Sequence, residues 1–190
     1  MLHEPLPLDT GFPQPVTLRK LSTADAEAFA RSVARDVDHL GEHLGWPAEA
    51  TTPDGAAKWL GPYERQEDGR VLVAGAWSGD EVLGGSLLLH YDEANANVEL
   101  GVWIVTEAEG KGVATAACIA LIDFARRELK VERIEWAAAT DNTRSRRLAE
   151  KLGFQYEGTC RSNYVLRGSR VSTDLLSLVG EEIDQAVARG

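Results

Sequence analysis

Asn97 to Arg127 reads NVELGVWIVTEAEGKGVATAACIALIDFARR. Val98 to Val105 is apolar and β-prone, and predicts a strand. Gly110 and Gly112 then bracket Lys111, and a helix starts near Val113, with Val113, Ala117, Ala120, Leu121 and Phe124 on one face. A glycine turn feeding a helix start leaves backbone N–H groups unpaired at the positive end of the helix dipole. Such a place suits a phosphate, and glycine lets a bulky anion approach the backbone. A lone Gly-x-Gly is an ordinary turn more often than a site. The spacing lacks Gly-x-Gly-x-x-Gly, so a dinucleotide fold is not supported, and the Gly-Lys-Ser/Thr ending of a P-loop is missing too.

Working outward, each flank predicts its own elements. Val16–Lys20 alternates as a first strand. Ser22 or Thr23 caps a helix with Ala26, Phe29, Ala30, Val33 and Val37 at helical spacing. Thr52 caps a second helix to Arg65, with Pro53 in its first position. Arg70–Trp77 and Val82–Tyr91 are strands joined by the turn Ser78–Glu81, and with Val98–Val105 they form an antiparallel meander. Arg133–Ala139 is reached through a helix, so it should lie parallel to Val98–Val105. Asn142–Leu152 is a short helix stopped by Gly153, and Phe154–Leu166 with Val171–Val179 makes a closing hairpin. The fold class is α/β: a mixed, mostly antiparallel sheet with one parallel pair and flanking helices. Residues 1–15 hold four of the seven prolines and read either as an extended arm or as a disordered leader. Residues 16–180 form a single domain, and 181–190 a C-terminal tail.

The net charge of -10 opposes general nucleic-acid binding and is compatible with a cationic acceptor. No apolar run reaches the roughly 20 residues of a membrane span, and the first residues do not read as a secretory signal. Cys118 and Cys160 have no metal spacing and read as reduced thiols of a cytoplasmic protein.

A second segment, DNTRSRRLAEKLGF (Asp141–Phe154), follows the parallel strand. Asn142 and Ser145 share the first turn of its helix, although either Asp141 or Asn142 is equally a plain cap. Together the two segments resemble the GNAT N-acetyltransferase superfamily. Its acyl-CoA loop runs Gln or Arg, two free positions, Gly, one free position, then Gly or Ala. Here Glu109-Gly110-Lys111-Gly112-Val113-Ala114 stands in that loop. Asn142, Ser145, Leu152, Gly153 and Phe154 match the second motif. The chain is most similar to the ribosomal-protein branch of RimJ/RimL type, over about residues 16 to 179. One departure is Glu109, a carboxylate where Gln or Arg is usual; it should repel pyrophosphate unless it turns away or Lys111 offsets it. Another is Ala149, where many members carry a tyrosine acid.

The resemblance implies transfer of an acetyl group from acetyl-CoA, as cosubstrate and without a metal, to a primary amine by direct attack. It implies that the parallel pair splays, that Trp103, Ile104 and Val105 pair with the pantetheine amides, and that Glu109 to Thr115 (with Gly110, Lys111, Gly112, Val113 and Ala114) and Asn142 hold the cofactor. Glu99 is the candidate base, with His90 and Glu93 nearby. Ser145 or Tyr164 would serve the departing thiolate, and Trp46 the acceptor, while Trp59 reads as core. One of Arg144, Arg146 and Arg147 would reach CoA phosphates. A neutral lysine at pH 7 costs roughly 3.3 kcal/mol more than a neutral α-amine, so a protein N-terminus is the favoured acceptor. A small-amine or antibiotic acetyltransferase and a non-catalytic acyl-CoA sensor are the alternatives. A homodimer paired through the last strands is a further expectation of the resemblance.

Overall fold

The structure is a computed structural model that describes residues 4–67 and 69–189. Eight strands form one sheet: β1 (Leu6–Leu8), β2 (Val16–Lys20), β3 (Leu72–Ser78), β4 (Glu81–Asp92), β5 (Asn97–Ile104), β6 (Arg133–Ala139), β7 (Gln155–Leu166) and β8 (Ser169–Val179). Their spatial order is β1-β2-β3-β4-β5-β6-β8-β7. Every pair is antiparallel except β5–β6, the pair joined through a helix. The helices are α1 (Ala26–Arg35), α2 (Val37–Leu40), α3 (Pro53–Arg65), α4 (Val113–Glu128), α5 (Thr143–Leu152) and α6 (Glu181–Val187).

Period-two alternation along β5 sorts its side chains onto two faces. Trp103 meets Phe29 of α1 edge-on at 5.3 Å, so Glu99, Gly101 and Trp103 face α1 and α3. Ser86, which pairs with Val102, contacts Cys118 of α4, so the even-numbered residues face α4. Phe29, Leu60, Leu88, Leu100, Leu121 and Ile122 are fully buried on the two sides of the sheet.

Local chemistry sets the helix starts. Ser22 and Asp25 form a reciprocal capping box, and Thr52 Oγ1 accepts from the Gly55 N–H at 3.2 Å ahead of Pro53. The proline-rich arm is extended, and Leu6–Leu8 goes further by adding β1 to the sheet; Met1–His3 lie outside the described residues. Residues 181–187, expected as a tail, form a helix instead. Its run EEIDQAV is too short and polar to be helical alone. Burial of Ile183 and Ala186, and a double ion pair of Asp184 with Arg126 of α4, hold it.

Candidate active site

β5 and β6 pair only at Asn97–Arg133, Val98–Ile134 and Glu99–Glu135, and then diverge. The opening forms the floor of a cavity of about 710 Å³. Its walls come from Leu44–Trp46, Trp59 and Tyr63 on one side and Trp136, Asn142–Ser145 and Leu148 on the other. A second groove of about 310 Å³ continues past Ile104 to Gly110, Gly112 and the first residues of α4.

Hydrogen-bond register identifies the backbone groups that face the gap. The Val105 N–H donates to the Leu83 carbonyl at 2.9 Å. In an antiparallel ladder, alternate residues turn both polar groups to the same neighbour. Trp103 opposite Gly85, Gly101 opposite Leu87 and Glu99 opposite Leu89 therefore bond to β4. Val102 and Ile104 turn theirs toward the opening, as does the Leu100 carbonyl, whereas the Leu100 N–H belongs to the Glu99–Glu135 pairing with β6. Of the three residues expected to meet pantetheine, Ile104 thus has its backbone groups toward the opening, while those of Trp103 face β4 and those of Val105 are taken by Leu83 and the Ala108 N–H. The strand was read correctly, but its parity follows only from its partner. On the far side, the Thr140 N–H donates to the Ser172 carbonyl of β8, so Ala137 directs its polar groups into the gap, while the Ala139 carbonyl is taken by the Asn142 N–H at 2.8 Å.

The turn after β5 is tied to the α1–α2 junction, where Asp36 accepts from the Thr106 N–H at 2.6 Å and from its hydroxyl. Gly110 and Gly112 take φ of +70° and +80°, left-handed values that a residue with a Cβ adopts at a cost. Gly112 is the N-cap of α4 and has no side chain to give, so the first N–H groups of that helix stay open to a ligand. Val113, Ala114 and Thr115 line the groove beside them. Glu109 lines this groove and the larger cavity, and its carboxylate is paired with Arg144 at 2.7 Å and His39 at 3.1 Å. Lys111 does not offset Glu109. Its ammonium sits over the Phe12 ring at 4.7 Å, and its carbonyl accepts from the Gly11 N–H, so the arm braces the turn from behind. The cations at the groove are Arg144 and Lys151, the latter missed in the sequence because only the fold carries it there. Arg146 is engaged by Asp174 and Glu150.

Ser145 is held at two atoms. Its N–H donates to the Asn142 side chain at 3.0 Å, so Asn142 is indeed the cap of α5 as well as a cavity residue. Its Oγ accepts from the Trp136 indole N–H at 2.9 Å, which leaves the hydroxyl hydrogen free to donate. Trp136 was not singled out from sequence, where an apolar strand residue reads as core. Ala149 is fully buried, and Leu148 is its neighbour that lines the cavity. Tyr164 also lines the cavity and rests against Gly45, where a Cβ would come within 2.6 Å of its hydroxyl oxygen. Trp46 stacks on Trp59 at 4.4 Å and meets Trp103 edge-on, so it packs as well as lines. Trp59 lines the cavity too.

Glu99 is one-quarter exposed, and its Oε2 meets His90 Nδ1 at 2.8 Å. Tyr63 stands nearby, with burial raising its hydroxyl above the ordinary tyrosine range. Among the described residues, no group of three or more His, Cys, Asp or Glu is placed to hold a metal ion.

A family model described as the acetyltransferase (GNAT) domain matches residues 16–155. The chain belongs to this family. Among curated proteins it is 32% identical over 169 residues to "Putative ribosomal N-acetyltransferase YdaF" of Bacillus subtilis (strain 168), covering 88% of this chain and 92% of that one. RimJ of Mycobacterium smegmatis, solved in complex with CoA-disulfide, superposes with a TM-score of 0.85 at 24% identity, over 97% of this chain and 91% of that one. RimL, described as a ribosomal L7/L12 alpha-N-protein acetyltransferase in complex with coenzyme A, gives a TM-score of 0.81 at 20% identity, over 94% and 99%. The eight-stranded sheet with its single parallel pair is thus the GNAT fold, and the chain is an acetyltransferase of that type. No helix among the described residues is long and apolar enough to cross a membrane.

Proposed function

We propose that this chain moves the acetyl group of acetyl-CoA to a primary amine, the α-amine of a protein N-terminus. One observation carries the reading: the open side of β5, with Val102 and Ile104 presenting free backbone groups, leads directly into the uncapped glycine turn. A linear molecule with amides at one end and a pyrophosphate at the other fits that run. When bound, acetyl-CoA would supply the activated acetyl group. The gap-facing backbone of β5 and β6 would bind its pantetheine arm, and Gly110, Gly112 and the first turn of α4 its pyrophosphate. Arg144 and Lys151 would supply positive charge there.

The remaining roles belong to side chains. Glu99 takes the proton that the acceptor ammonium must lose before it can attack. Ser145, its oxygen fixed by Trp136, donates its hydroxyl hydrogen toward the departing sulfur. A thiol has a pKa near about 8.5, so this help is modest. Trp46 and Tyr63 wall the acceptor side. An α-amine suits a site with a single carboxylate base better than lysine does, because it is easier to deprotonate. The ribosomal assignment of YdaF agrees with that acceptor and with a cytoplasmic setting. β7 ends the sheet and exposes Tyr156 and Val165, and we propose it as the edge through which two copies pair; a single-chain mass in sedimentation would exclude this.

The test is thiol release from acetyl-CoA with peptides bearing free or blocked N-termini, polyamines and aminoglycosides. Free peptide N-termini should be preferred. Preference for a small amine would make the chain a small-molecule acetyltransferase. Tight acetyl-CoA binding without thiol release for any amine would make it a sensor.

A further inference from the structure

His90 occupies a place that a regular strand would not give it. Leu89 pairs with Glu99, but the next pairing is Asp92 with Asn97, so His90 and Tyr91 together oppose Val98. This is a β-bulge, with His90 in the left-handed region at φ +53°. Strict alternation would send His90 to the α4 face. The bulge instead leaves Tyr91 on that face, its hydroxyl near the Leu129 carbonyl, and brings the imidazole to the cavity face, against Glu99. The left-handed region is unfavourable for any residue with a Cβ. An ion pair whose histidine is 68% exposed returns little stability. The bulge seats Tyr91 against the core, but that alone does not require an imidazole on the cavity carboxylate, and a strained position beside a cavity points to function.

We propose that His90 is a positioning residue for acetyl transfer: its Nδ1–H donates to Oε2 of Glu99 and so holds the other oxygen toward the acceptor amine, whose proton that oxygen takes. The inference rests on the acetyl-transfer reading above. The step balances. An N–H bond of the ammonium breaks and a Glu99 O–H bond forms, leaving the neutral amine. Once Glu99 carries that proton on the oxygen facing the amine, it releases it to water at the one-quarter-exposed carboxyl, which restores the carboxylate, while the Nδ1–H of His90 keeps donating to Oε2. The other described histidines of the cavity are engaged elsewhere, His39 by Glu109 and His43 by Asp141.

His90→Gly is the informative variant, because glycine accepts the left-handed backbone and the fold should persist. With a peptide N-terminus as acceptor, kcat should fall by roughly tenfold, less than the 10² or more of losing a base outright, since Glu99 remains. Calorimetric affinity for acetyl-CoA should not change, and added imidazole should restore turnover. Glu99→Gln should fall further and ignore imidazole, and the double variant should be no slower than Glu99→Gln alone. His90→Asn, also tolerant of this backbone, should match His90→Gly without imidazole. In the ligand-free protein, the labelled Nδ1 resonance of His90 should report a hydrogen bond that Glu99→Ala abolishes. Wild-type kcat in both histidine variants, a loss that imidazole leaves untouched, or defects that multiply in the double variant would overturn the proposal. Absence of wild-type turnover with every amine would overturn the acetyl-transfer reading itself, and is seen before any variant is made.

Discussion

Ser145 Oγ sits 2.9 Å from the Trp136 indole nitrogen, so the serine is an acceptor to the core and a donor to the cavity. Its hydroxyl direction is therefore set by a tryptophan of the cavity wall. Ser145→Ala should lower kcat by roughly tenfold without abolishing turnover, because the thiolate is a fair leaving group unaided. Trp136→Phe should lower kcat comparably while leaving the affinity for acetyl-CoA alone. It also opens a small cavity against Phe154, costing about 1–3 kcal/mol in denaturant unfolding. If the serine is the channel, the double variant is no slower than either single one; multiplied defects would separate the two residues. Glu109 is the other residue whose neighbours decide its effect. Its carboxylate occupies Arg144, a cation of the groove at the start of α4. Glu109→Gln removes a negative charge and frees that guanidinium. Affinity for acetyl-CoA should rise about two- to fivefold, the scale of a partly exposed charge interaction; calorimetry showing unchanged or weaker binding would refute it.

At the scale of elements, the strands and helices were largely legible because each carries its own period and punctuation. Thr52-Pro53 opened α3, Gly153 closed α5, and RIEWAAA matched β6 residue for residue. What stayed hidden depends on a partner. Which backbone groups of β5 face the gap is set by its register with β4, and α6 exists only because α4 offers a surface. Lys111 and Lys151 show the same limit within the site: adjacency in sequence favoured the first, and the fold brings the second to the groove. The far edge of the sheet has its own electrostatic tie. Arg133 of β6 reaches across β8 to Glu157 of β7, with Ser177 donating to the same carboxylate. The Arg133 guanidinium, then the Ser177 hydroxyl, lower Glu157 to about 2 from an ordinary 4.5. A carboxyl depressed in the folded state stabilises fully above its unfolded pKa and loses that contribution as pH falls through the folded one. The stability of this edge should thus decline between about pH 4.5 and about pH 2. Glu157→Gln should flatten that limb of an acid-unfolding curve and leave the neutral region little changed. The side chain is 41% exposed, so the effect is small.

At the scale of the whole molecule, the sheet carries the site by failing to close. Helices on both faces bury its core, yet β5 and β6 part after three residue pairs, and Val102, Ile104 and Ala137 turn main-chain groups into the cavity between them. Exposed main chain in the middle of a sheet is costly unless something supplies the missing partners. A bound cofactor would then act as a ninth, non-peptide strand, and the apoprotein is a sheet with an open seam. Amide hydrogen exchange should read this directly. Without acetyl-CoA, the N–H groups of Val102 and Ile104 should exchange faster than those of Gly101 and Trp103, which bond to β4. Saturating acetyl-CoA should slow the first pair selectively, and the melting temperature should climb with ligand concentration. Equal protection of odd and even residues in the free protein would contradict the register. The cell's acetyl-CoA level would in this way set the mechanical integrity of the protein as well as its rate, with a starved cell holding a looser molecule.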